Sequence, residues 1–104
     1  MFHSRGCVYG RNGLIDSPQK LRDRAEVAAF APGGYIDRSL CKSVTHYVST
    51  RDFIPWIDRL GRQRCKDTII TLKPHPRAPM LDHNFTSSTF AMRMKTVIEK
   101  YMER

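Results

Sequence analysis

Long apolar runs are missing from this chain. None approaches the roughly 18 residues that a membrane-spanning helix needs, so no transmembrane segment is expected. A secretory leader is missing as well. Met1-Phe2-His3-Ser4-Arg5-Gly6 has no basic start followed by an apolar stretch. As written, the chain is expected to stay in the cytoplasm, an expectation that is void if the true start lies upstream of Met1. Cysteine is scarce: Cys7, Cys41 and Cys65 are odd in number, widely spaced and without a C-x-x-C pair. That argues against a zinc site. The three suit a reducing compartment, as free and mostly buried thiols. There is no internal repeat and no low-complexity tract.

What is present points to one globular domain. The chain has 104 residues, 40% hydrophobic and 27% charged, which allows a real core. Its formal net charge is +8. A basic balance raises nucleic acid or acidic partners as candidates. The charge is dispersed, however. Its densest stretch, Arg59, Arg62, Arg64 and Lys66, is broken by Gly61 and Cys65 and reads as a solvated face. No nucleic-acid partner is expected. A small basic nucleic-acid- or protein-binding module without catalysis remains the alternative reading.

The elements alternate. A helix is expected over about residues 6–14, weakened by Gly10 and Gly13. Ser17 and Pro18 suit the start of a short helical stretch to Arg24. Residues 25–30 form a short apolar run that reads as a buried strand. Residues 43–50 alternate and are rich in Val, Thr and Tyr, a second strand. Residues 53–60 can form a short helix ended by Gly61. Residues 68–72 are a third strand, stopped by Pro74 and Pro76. A loop with three prolines follows. Phe90, Met94, Val97 and Tyr101 then share one helical face, widened by Ala91 and Ile98, with Ser87 or Ser88 at its start. Strands alternating with helices predict an α/β fold with a parallel sheet of about three strands and a C-terminal amphipathic helix.

The chemistry begins at His3-Ser4-Arg5-Gly6. A serine on a sharp strand-to-helix turn needs small neighbours two residues to either side. Gly6 meets that need and Phe2 departs from it. Downstream, Asp52 follows the second strand and His83 lies in the loop before the last helix. Asp52 also suits the cap of the helix after it. Asp58 and Asp67 are poorer acids, lying on a helix or before a strand. His75 follows the third strand directly but is held between Pro74 and Pro76, so His83 is preferred. His46 lies within a strand and reads as packed or surface. Trp56 and the aromatic stripe of the last helix read as core.

Serine, then aspartate, then histidine, each beyond a strand, is the triad order of α/β hydrolases. On these residues the chain resembles the lipase-like branch of that superfamily. Tyr47-Val48-Ser49-Thr50-Arg51-Asp52-Phe53-Ile54-Pro55 is similar to its acid-bearing stretch. Ala29-Phe30-Ala31-Pro32 is similar to the strand and turn after its elbow helix. His83-Asn84-Phe85 is similar to its histidine loop. His3 stands where many lipases have a histidine beside the serine, and need not be a base. The H-S-x-G to D-H-x-F arrangement also resembles a chlamydial family of uncharacterised hydrolase-like proteins. The resemblance covers the rear half of a hydrolase domain and implies several strands before Met1. It implies Ser4 as nucleophile, His83 as base, Asp52 as the acid behind it, and the Arg5 backbone N–H as one oxyanion donor. It implies an acyl-ester substrate and no cofactor or metal. It also implies a second oxyanion donor from a preceding loop, so the 104 residues alone are expected to be inactive or impaired. A sheet cut off at its first strand is expected to self-associate through the exposed edge.

Overall fold

The computed structural model describes residues 1–52, 54–73, 83 and 88–103, with Ser88 described by its backbone alone. The sequence-based expectations for Phe53, for Pro74, His75 and Pro76 in the three-proline loop, and for Asn84, Phe85 and Ser87 lie outside the described residues. The fold is α/β, a four-stranded parallel sheet in the order β1-β2-β3-β4. The strands are β1 (Phe2–His3), β2 (Glu26–Phe30), β3 (Ser43–Ser49) and β4 (Ile69–Leu72). Helices α1 (Arg5–Asp16) and α2 (Gln19–Arg22) connect β1 to β2. Helix α3 (Arg59–Arg64) lies between β3 and β4, and α4 (Ser88–Met102) closes the described chain. The strand beyond the expected three is β1, whose two residues pair as Phe2↔Ala29 and His3↔Phe30.

Register explains the core. Pairs such as Val27↔Val44 and Phe30↔Tyr47 put alternate residues on opposite faces. One face buries Phe30, Tyr47 and Leu72 under Phe90 of α4, with Met94 and Val97 packed alongside. The rings of Phe30 and Tyr47 stack at 5.0 Å, and Phe90 meets Phe30 edge-on at 6.2 Å. The other face buries Val27 and Val44 with Ile36 and Cys41, and Leu14 of α1 and Phe2 pack against them. The apolar stripe of α4 is longer than the sheet it covers. Tyr101 is 64% exposed and Ile98 50%, beyond Val97, the last residue of the stripe packed on this core.

Other local readings shift for identifiable reasons. Ser17 ends α1 rather than starting α2: its N–H bonds to the Leu14 carbonyl and its hydroxyl to that of Gly13. Gly61 lies inside α3, not after it. Asp58 is the N-cap, accepting from the Gly61 N–H at 3.0 Å, and its carboxylate occupies the space a side chain at residue 61 would need. The segment before it, residues 54–56, is a single 3₁₀ turn. Trp56 is not core. It is 56% exposed, with the Arg62 guanidinium 3.5 Å over its ring. Arg64 pairs with Asp37, and Lys66 is exposed.

All three cysteines are free and buried. Burial pushes the Cys7 thiol up to about 12 and the Cys65 thiol up to about 11, so neither is a thiolate nucleophile near neutral pH.

Candidate active site

In a parallel sheet every strand delivers its carboxyl end to the same edge, where ligands bind in open α/β folds. Ser4 follows β1, residues 31–33 follow β2, Asp52 stands three residues beyond β3, and His83 lies in the connection after β4.

Ser4 sits between β1 and α1 with φ 52° and ψ −121°. Among the described non-glycine residues only Ser4 and Ala31 have positive φ. Such a conformation costs about 1–3 kcal/mol and survives where neighbours over-determine it. Here they do. The Ser4 N–H donates to the Phe30 carbonyl at 3.1 Å. The Ser4 carbonyl accepts from Cys7 and Gly33 N–H groups, both at 3.0 Å. A Cβ on Gly33 would stand 3.1 Å from the Ser4 oxygen and 3.4 Å from the Arg5 nitrogen. Gly33 therefore provides space against the Ser4–Arg5 peptide.

The small-residue expectation at Gly6 is corrected: a Cβ there would meet nothing within 4 Å. The close approach falls one turn later. The Phe2 ring covers Gly10, where a Cβ would lie 2.5 Å from it. This is how the turn accommodates phenylalanine two residues before the serine.

The structure brings Ser4, His83 and Asp52 together. Ser4 Oγ lies 2.7 Å from His83 Nε2, and His83 Nδ1 lies 2.6 Å from Asp52 Oδ2. The Asp52 side chain is wholly buried, whereas that of His83 is 23% exposed. Asp52 Oδ1 accepts from the Ile54 N–H at 3.0 Å, so the acid is both the cap of the following turn and the partner of His83. A carboxylate can only accept, so Nδ1 carries the proton. In the neutral ring Nε2 is then the acceptor for the Ser4 hydroxyl. Arg5 opens α1, and its N–H belongs to the first-turn donors that have no intrahelical partner.

His3 also reaches this site. Its Nε2 lies 2.7 Å from the His83 carbonyl oxygen, and the two rings are 5.2 Å apart. Nothing in the local sequence signals this contact, which spans 80 residues.

The remaining candidates lie elsewhere. His46 is fully buried within β3, Asp58 caps α3, and Asp67 faces Arg38 at 3.7 Å. A groove of about 570 Å³ opens near the amino ends of the strands, between Glu26, Ser43 and the end of α4, and contains none of Ser4, Asp52 or His83. Among the described residues no cluster of His, Cys, Asp or Glu could hold a metal, and no helix is long and apolar enough to cross a membrane. Comparison with protein-family models, with curated proteins and with solved structures returned no match.

Proposed function

We propose that this chain carries the acylation machinery of a serine hydrolase acting on an ester or similar acyl carbon. The observation that carries the reading is the continuous relay from Ser4 Oγ through His83 to buried Asp52, at 2.7 and 2.6 Å. The strained backbone of Ser4 supports it independently, since a nucleophile on a strand-to-helix turn is held in that way.

Ser4 attacks the acyl carbon while His83 Nε2 takes its proton, and the same proton passes to the leaving alcohol. Asp52 holds the imidazole with Nδ1–H directed at its carboxylate and stabilises the imidazolium that forms. The Arg5 N–H donates to the oxyanion. The resemblance implies a second donor beside it. Losing either donor costs about 10²–10³ in turnover. The test is pre-steady-state hydrolysis of p-nitrophenyl acetate. A burst approaching one equivalent per chain, absent in Ser4→Ala, supports the reading. Identical traces for the two proteins would dispose of it.

A further inference from the structure

We infer that His3 is a positioning residue for His83. The inference rests on the hydrolase reading for its functional meaning and on geometry for its substance. The His83 carbonyl can only accept, so at 2.7 Å His3 Nε2 must carry a proton and donate it. This bond ties the strand that delivers Ser4 directly to the backbone of the residue that would deprotonate it.

The side chain of His83 already has one anchor, the Asp52 carboxylate on Nδ1. That anchor fixes the ring's tautomer and rotation. It does not by itself set where the backbone of residue 83 stands relative to β1. The His3 bond holds that remaining coordinate, and ring contact at 5.2 Å supports the same placement. His3 pairs with Phe30 in the sheet, and Phe30 also accepts from the Ser4 N–H. The anchor and the nucleophile are thus fixed to one rigid element, which is what a hydrogen bond of defined length between Ser4 and His83 requires.

The experiment uses the full chain, with His3→Phe to keep the ring and remove the donor, and His3→Gln to return an N–H donor. Two readouts are followed: fluorophosphonate labelling rate at Ser4, and the low-field ¹H resonance of His83 Nδ1–H. His3→Phe is expected to slow labelling about 10- to 100-fold, the effect of ångström-scale misplacement, and to broaden the His83 resonance. His3→Gln is expected to recover much of both at an unchanged melting temperature. The ¹⁵N shifts of wild-type His3 are expected to show Nε2 protonated, a measurement that needs no variant to fold. A proton on Nδ1 alone, or a His3→Phe protein with the wild-type His83 resonance, would overturn the inference. Failure of the wild type to label sinks the hydrolase reading instead, and the resonance measurements still decide the role of His3.

Discussion

Acid should loosen this fold through one buried ring. His46 is fully enclosed in β3. Its Nε2 accepts from the Ile36 N–H at 3.0 Å, and its Nδ1 donates to the Thr68 hydroxyl at 2.7 Å, which donates in turn to the Cys65 carbonyl. Protonating Nε2 would turn an acceptor into a donor facing another donor. Burial accordingly lowers the His46 pKa from 6.5 to about 4. Between those values the unfolded chain binds a proton that the native state refuses. Stability is therefore fully present above the unfolded value and declines as pH falls toward the folded one. Each pH unit across that window is worth about 1.4 kcal/mol. Moving from about pH 7.5 to pH 5 thus removes on the order of 2 kcal/mol, a large share of a marginal stability. Urea unfolding across that range, wild type against His46→Gln, isolates the effect, because every other ionisable group is common to both proteins. The variant profile should be flatter by that amount. NMR on the native protein adds an independent check, since the His46 ring should stay neutral down to about pH 5. Parallel unfolding profiles, or a His46 resonance titrating at the value of a free imidazole, would refute the reasoning.

Three substitutions test the site and its support. Asp52→Asn removes the charge behind His83 and permits the wrong tautomer, so the acylation rate from stopped-flow bursts should fall by about 10⁴. Gly33→Ala presses on the Ser4–Arg5 peptide from 3.1 Å and should slow the same burst about threefold to tenfold while leaving the α4 side of the core intact, as near-ultraviolet circular dichroism can report. Gly13→Ala meets nothing within 4 Å, so its helix propensity is free to act. It should add about 0.5–1 kcal/mol, a few degrees in a thermal melt.

Much of the architecture was legible because its signals are local. The β-branched run of β3, the apolar run of β2 and the Phe90-Met94-Val97 stripe each betray a period. Their alternation then places Ser4, Asp52 and His83 beyond strand ends. The rest depends on partners distant in sequence. Gly61 looks like a helix stop until Asp58 is seen folded over it. Trp56 looks like core until Arg62 is seen covering it outside. Gly6 fits a motif, yet the crowding falls on Gly10 and Gly33, because Phe2 leans on the first and the turn after β2 closes on the second. The positive φ of Ser4 belongs to the same class. It is imposed by the Phe30 carbonyl and the Gly33 N–H, some 25 to 30 residues away in the chain. The contact from His3 to His83 crosses nearly the whole sequence, and no spacing rule reaches that far.

The central claim is that Ser4 is activated by His83. Its most direct measurement is intact-protein and peptide mass spectrometry after treatment with a fluorophosphonate. A single adduct mapped to Ser4, lost in His83→Ala with the fold retained, is the expected result. An unmodified wild-type chain, or equal labelling of Ser4 in His83→Ala, would contradict it.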